Sequence, residues 1–306
     1  MNFTAKDVSE LRAQTGIGMM DCKKALTEAD GNKEVAIKIL REKGLAVAEK
    51  KASRIAAEGI VDILAKDNLV AMVEVNSETD FVAKNESFRA FVKGVLETIL
   101  ACKPANVEEL AQCKYAGTED TVDAVLKDKT FQIGEKLSIR RFEIVEGLTS
   151  TYIHGGGTIG VVVKGESDAS DKDAVKAVLK NVALQIAAMS PKYLDKESVP
   201  ADALASEKEI LLAQIDNDPK NAGKPEAVKE KMILGKIGKF YDTNCLLEQE
   251  YVKEDKMKVC EYIASEAKAL GADIKVTGFL RFEKGEGIEK REDNFAEEIA
   301  KLTGNN

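Results

Sequence analysis

The amino-acid sequence predicts an α+β protein, and two observations carry that reading. β-rich runs come in adjacent pairs, at residues 60–65 with 69–75 and at 150–154 with 158–164, so they pair as antiparallel hairpins and do not alternate with helices. Each pair is followed by a run with apolar residues at helical spacing, at 86–103 and at 171–190. Hairpin then helix thus occurs twice, which suggests two copies of one unit. The 306 residues suffice for two or three domains, and an apolar content of 44% allows a sizeable core.

Residues 1–44 read as three short helices. Thr4 and Asp7 form a candidate capping box, with Val8 and Leu11 sharing a face. Gly16 and Gly18 allow a tight turn before a helix over 19–29, closed by Asp30-Gly31. Asn32 can cap the third helix, with Val35, Ile39 and Leu40 expected inward and Gly44 as its stop. Three helices in so short a stretch resemble a ubiquitin-associated domain, and the plain reading is an autonomous helical cap. Its exposed face keeps Met20 beside Lys23, and exposed Met is a common contact residue.

Residues 45–57 read as a helical linker ended by Gly59. The first hairpin turns at Lys66-Asp-Asn68. In the next helix, Phe88, Phe91, Val92, Val95, Leu96, Ile99 and Leu100 form a core stripe, and Pro104 breaks it. Weaker helices lie at 107–113 and 121–134, and an alternating strand at 137–145. Gly155-Gly-Gly157 turns the second hairpin. A phosphate loop is excluded there, because the G-x-x-x-x-G-K-[ST] pattern is missing and a strand follows the glycines. Pro191 stops the helix at 171–190. Two helical runs, 200–215 and 225–241, place Leu204, Ile210, Leu211 and Ile215 opposite Val228, Met232 and Ile237, the pattern of an antiparallel helical hairpin. A strand at 245–247, a helix at 259–270, a last strand at 274–282 and a closing helix at 292–302 complete the reading.

Composition excludes several functions. The net charge of −8 and pI near 5.1 argue against binding a phosphate backbone, and 5% aromatics without Trp leave few stacking platforms for bases. No apolar run approaches the ~20 residues of a membrane span, and the first residues lack a signal peptide's apolar core. Five scattered cysteines without a C-x-x-C and a single histidine argue against a disulfide framework or a zinc site. A reducing cytoplasm is the expected location.

The most distinctive stretch is Ser77-Glu-Thr-Asp-Phe-Val-Ala-Lys-Asn85, between a strand and the helix from Glu86. Ser77 with Asp80 has the form of a capping box, which would place Asp80 and Phe81 together on an exposed turn. The plain alternative has Phe81 folded into the core and Asp80 only capping. The run Glu78-Thr-Asp-Phe-Val-Ala-Lys-Asn85 resembles the signature of elongation factor Ts, the nucleotide-exchange factor for the translational GTPase elongation factor Tu. Thr151-Tyr-Ile-His-Gly-Gly-Gly-Thr-Ile-Gly-Val-Val-Val163 resembles that family's second signature. Gly278-Phe-Leu-Arg-Phe-Glu-Lys-Gly-Glu-Gly-Ile-Glu-Lys290 resembles its C-terminal one, and Asp21-Cys-Lys-Lys-Ala-Leu26 its N-terminal module. The match runs from Asp7 to Lys290 in the family's order. Thr158 departs from it, standing where a basic residue is usual, and around 249–253 the match is loose enough that only Val252 is carried over.

The resemblance implies a fold of several parts: a ubiquitin-associated-like helical domain at 1–54, a core subdomain at 55–146, a second core subdomain at 147–199 and 243–283, a coiled-coil hairpin inserted at 200–242, and a C-terminal helical module at 284–306. It implies a binder of elongation factor Tu, GDP-bound and nucleotide-free, acting in translation elongation. Thr79, Asp80, Phe81 and Val82 would work at the partner's magnesium site, and Met20, Lys23, His154 and Val252 would touch it elsewhere. No cofactor, metal ligand or catalytic residue of its own is implied, and neither nucleic acid nor membrane is a direct partner. From the residues alone two other classes stay open. One is a ubiquitin-associated-type adaptor with a coiled-coil dimerisation arm. The other is a hydrolase, although His154 lacks a sequence-visible Ser or Cys partner.

The hairpin at 200–241 lies between strands of one subdomain, as an insertion would, and in several family members such a hairpin serves self-association. Replacing residues 200–241 by a short Gly linker is therefore expected to leave exchange largely intact while altering the mass seen by light scattering. An unchanged mass, or loss of exchange in a folded variant, counts against it.

Overall fold

A computed structural model describes residues 2–221 and 223–289. The helix expected at 292–302 lies outside the described residues. The chain divides into two compact units, one of residues 2–64, 71–144 and 283–289, the other of residues 65–70 and 145–282. Two three-stranded antiparallel sheets, of strand order Glu58–Lys66, Leu69–Ser77, Ser138–Glu146 and Leu148–His154, Ile159–Ser167, Ile274–Glu283, sit among eleven described helices, the α+β class expected.

The first unit opens with α1 (Ala5–Thr15), α2 (Met19–Glu28) and α3 (Lys33–Lys51). Thr4 and Asp7 make the capping box: the Asp7 N–H donates to Thr4 Oγ1 and the Thr4 N–H to Asp7 Oδ2. The bonds from Thr4, helped by Lys33, hold the Asp7 carboxyl down to about 2. Asn32 caps α3 by accepting from the Val35 N–H. Gly44 does not stop α3, which runs on through the expected linker to Lys51. The buried residues are Ala36, Leu40 and Gly44, four apart, and Ile39 packs partly buried against the same core, while Val35 is exposed. Gly44 faces Phe131, which packs onto the three-helix core. The helical domain thus rests on a later helix and is not merely linked in sequence.

Next come β1 (Glu58–Lys66), β2 (Leu69–Ser77), the single turn α4 (Asp80–Ala83), α5 (Glu86–Cys102), α6 (Val107–Gln112), α7 (Val122–Ile133) and β3 (Ser138–Glu146). All seven apolar residues of the α5 stripe are buried. β2, the middle strand, buries every side chain from Val70 to Ser77, the carboxylate of Glu74 included. That charge is matched on several sides. Arg140 Nη1 lies 3.0 Å and Arg141 Nε 2.7 Å from its two oxygens, Asn76 Nδ2 donates at 3.1 Å, and the Gly285 N–H donates at 2.7 Å. A Cβ at residue 285 would run into the Ala57 carbonyl oxygen, and its φ is +69°, so glycine alone fits this close return.

The second unit contains β4 (Leu148–His154), β5 (Ile159–Ser167), α8 (Lys172–Met189), α9 (Ala201–Asn217), α10 (Glu226–Asn244), α11 (Val259–Leu270) and β6 (Ile274–Glu283). β4 and β5 pair from Leu148 opposite Gly165 to His154 opposite Ile159. Val161 and Val163 of β5 pack with Val178, Leu179 and Ile186 of α8 and with Ile263 of α11. α9 and α10 pack on each other, with Leu211, Ile215 and Ile237 buried, whereas Ile210 and Val228, expected to face inward, are exposed. Residues 245–247 are not a strand. Leu246–Glu248 forms a 3₁₀ turn, and Cys245 makes only an isolated bridge to Tyr193.

Burial alone would raise the Glu74 carboxyl. The Gly285 N–H, Arg140, Asn76 and Arg141 outweigh it and leave it below its ordinary value. A folded-state pKa below the unfolded one stabilises the fold above the ordinary Glu pKa of about 4.3 and loses that contribution as pH falls through the folded value. Glu74→Ala is expected to cost about 3 kcal/mol, the low end for breaking a buried ion pair, because both guanidinium groups keep contact with water. Urea denaturation at pH 7 and below pH 4 should show the difference shrinking with acid, and a gap that does not shrink contradicts this account.

Candidate partner interface

The stretch from Ser77 to Asn85 links β2 to α5. Asn85 caps α5, its Oδ1 accepting from the Ser87 and Phe88 N–H groups at 2.8 and 3.2 Å. Between strand and cap there is room for one helical turn, α4. On that turn Val82 and Ala83 point into the core, Val82 only 6% exposed, and Phe81 stands out at 76%. The reading of Phe81 as a core residue therefore does not hold. Asp80 is exposed beside it, and Lys84, four residues on, places its Nζ 3.2 Å from Asp80 Oδ2 and 5.9 Å from the Phe81 ring centroid.

The expected Ser77–Asp80 capping box is not formed. The N-cap of α4 is Thr79, and its hydroxyl does not cap the turn. Ser77 Oγ donates to the Thr79 carbonyl at 2.9 Å. Thr79 instead turns to Glu135, just beyond the end of α7: its N–H donates to Oε2 at 2.9 Å and its Oγ1–H to Oε1 at 2.7 Å. The exchange is reciprocal, because Glu78 Oε1 accepts the Lys136 N–H at 2.6 Å. Arg54 Nη1 closes the set, 3.3 and 3.2 Å from the two Glu78 oxygens. Lys84 was legible as an i,i+4 partner, but Glu135 lies too far along the chain for any local pattern to point to it.

The remaining candidates lie on other elements. Met20 is 62% exposed on α2 with Met19 and Lys23, while Cys22, Ala25 and Leu26 face inward. His154 ends β4, exposed, its Nδ1 3.0 Å from the Tyr152 hydroxyl. Its carbonyl accepts from the Gly157 and Thr158 N–H groups, closing a turn in which Gly155, Gly156 and Gly157 all have positive φ. Thr158 donates its hydroxyl to the Gly155 carbonyl, so it serves the turn. Val252 is 47% exposed on a loop held from below by two buried glutamines. Gln185 Oε1 accepts the Val252 N–H at 2.9 Å, and Gln185 Nε2 donates to Gln249 Oε1 and to the Glu250 carbonyl. Only Thr79, Asp80, Phe81 and Val82 are brought together on one turn. Met20 and Lys23 share α2, His154 ends β4, and Val252 sits on its own loop.

Among the described residues no three His, Cys, Asp or Glu side chains are grouped to hold a metal ion, and no helix is long and apolar enough to cross a membrane.

A family model described as Elongation factor TS matches residues 78–286. Full-length similarity agrees with it. Elongation factor Ts of Clostridium kluyveri is 48% identical over 305 residues, 98% of each chain. The protein of that name from Clostridioides difficile is 50% identical over 305 residues, again 98% of each. That from Syntrophotalea carbinolica is 45% identical over 306 residues, 99% of this chain and all of its relative.

The geometry of α4 generates a stability test. Val82→Ala removes two buried methyl groups and should cost about 1–2 kcal/mol. Phe81→Ala should cost under about 0.5 kcal/mol, since its ring touches so little of the core. The reverse order in urea denaturation contradicts the assignment of faces.

Proposed function

The chain belongs to the elongation factor Ts family, the nucleotide-exchange factors of translation elongation, and from that premise we propose that it opens the magnesium and phosphate site of elongation factor Tu with the Asp80–Phe81 pair. A translational GTPase holds GDP through a phosphate loop and a Mg²⁺ ion bridging phosphate and protein. Mg²⁺ tolerates little departure from octahedral geometry, so small displacements of its ligands weaken it. Phe81 is the wedge. Its ring displaces side chains of the partner by volume, and burying it offsets roughly 1.5–3 kcal/mol of the cost. Asp80 brings a carboxylate to the same place, released from a surface pair with Lys84 that is itself worth only about 0–1 kcal/mol. Thr79 and the buried Val82 act through the turn, one as its tethered start and the other as its anchor. Met20 and Lys23, His154 and Val252 supply binding away from the nucleotide.

One observation supports this reading above the others: a large aromatic side chain is 76% exposed on a turn whose next two residues are buried. Exposing an aromatic without a partner forgoes its burial, so a partner is the simplest explanation. By linkage the factor weakens GDP as much as GDP weakens the factor, and it binds both the GDP-bound and the nucleotide-free GTPase. The nucleotide and the metal belong to the partner, and the chain carries out no bond chemistry itself. It works in the cytoplasm, without direct contact to nucleic acid or membrane. The exposed Ile210, Val228 and Leu234 on α9 and α10 offer the surface for a homodimer through the hairpin.

Release of fluorescent GDP from elongation factor Tu tests the reading. At saturating factor, Phe81→Ala should slow stimulated release by roughly tenfold or more, the equivalent of the 1.5–3 kcal/mol assigned to the ring. Asp80→Ala should act in the same direction and be non-additive with it. Release at the unmodified rate by a normally folded Phe81→Ala protein defeats the reading, and is what an adaptor would give.

A further inference from the structure

A helix of a single turn does not hold itself, because nucleation fixes several dihedrals for one hydrogen bond. α4 also lacks the usual help, since the hydroxyl of its N-cap Thr79 makes no bond to the turn. The direction in which Phe81 leaves the surface is therefore set from outside. Val82 and Ala83 anchor the end of the turn in the core. Its beginning is held by Glu135, whose two carboxylate oxygens take the two donors of Thr79, N–H at 2.9 Å and Oγ1–H at 2.7 Å.

We propose that Glu135 is a positioning residue for nucleotide exchange: it fixes the start of the Asp80–Phe81 turn so that the wedge is already aimed before the partner arrives. The assignment rests on the role proposed above for Phe81. Glu135 follows Gly134, whose φ is +81° and whose N–H bonds the Thr130 carbonyl, so the carboxylate projects from a firmly ended α7. The reciprocal bond from the Lys136 N–H to Glu78 prevents the two segments from sliding past each other. Both donors on Thr79 reach a charged acceptor, the stronger class of hydrogen bond. Preorganisation of this kind lowers the ordering cost of forming the exchange complex, and the gain appears in the step that needs the wedge in place. Without Glu135, Thr79 can turn to water and the single turn can fray, while the rest of the binding surface stays unchanged.

The experiment measures stimulated release of fluorescent GDP at saturating factor for Glu135→Ala, Phe81→Ala and the double variant, with amide hydrogen exchange of the free factor at residues 79–81. Glu135→Ala should speed amide exchange across the turn and slow GDP release by roughly tenfold, the scale of one lost charge-assisted hydrogen bond. In the Phe81→Ala background it should slow release no further, whereas a residue that merely supports the fold would slow both backgrounds alike. Glu135→Gln should recover part of the rate, since the Thr79 hydroxyl can accept as well as donate. If Phe81→Ala is slow while Glu135→Ala releases GDP at the unmodified rate, or if the two losses simply add, Glu135 has no positioning role and the reading of Phe81 stands. If Phe81→Ala itself is unimpaired, the wedge reading fails and the role of Glu135 fails with it.

Discussion

A carboxylate out of water has to be satisfied, and Glu74 can be satisfied in only one arrangement of the first unit. Its oxygens need β3 for Arg140 and Arg141, β2 itself for Asn76, and the returning segment at 285 for a backbone N–H. Leaving any of these out costs the buried carboxylate a charge-assisted bond, roughly 1.5–3 kcal/mol. The middle strand is thereby pinned on both sides. A few residues beyond Glu74 the strand ends, and the segment from Ser77 to Phe81 inherits a fixed point of departure.

From that point the same device is used at smaller scale. Glu78 and Glu135 each take a main-chain N–H of the other's segment, so the loop after β2 and the end of α7 are stitched by two carboxylates. Asn85 then caps α5, whose buried stripe has no freedom to move. A four-residue turn held at both ends can leave a Phe in water without losing its shape. The pair most ready to change is also the least costly to change: Lys84 and Asp80 are exposed, and their ion pair is of the weak surface kind.

The second unit presents its exposed points in the same manner. The loop bearing Val252 is held by Gln185 and Gln249, both fully buried and bonded to each other and to main-chain groups. Buried amides cost free energy unless their bonds are made, so the loop has one conformation in which all of them are. His154 stands at a strand end where three successive glycines turn the chain, and its carbonyl, not its ring, closes that turn. In both units buried polar groups fix the backbone from which the exposed side chains of Phe81 and Val252 project.

The sequence by itself determined the features that depend on near neighbours. The paired β-runs specified hairpins, the stripe from Phe88 to Leu100 specified α5, and Thr4, Asn32 and Asn85 cap helices by bonds only two or three residues long. The motif around Asp80 and Phe81 pointed to the family for the same reason, being contiguous. Only the tertiary structure decided the rest. Gly44 continues a helix because Phe131 packs over it. Ile210 and Val228 remain in water because α9 and α10 meet along Leu211, Ile215 and Ile237. Residues 245–247 form a turn because the helix before them ends against Tyr193. Ser77 does not cap α4, because Thr79 is claimed by Glu135, and two partners 56 positions apart share no local pattern that could have announced the bond. Spacing along a chain encodes which face a side chain occupies; which distant group meets it there is settled only when the elements pack.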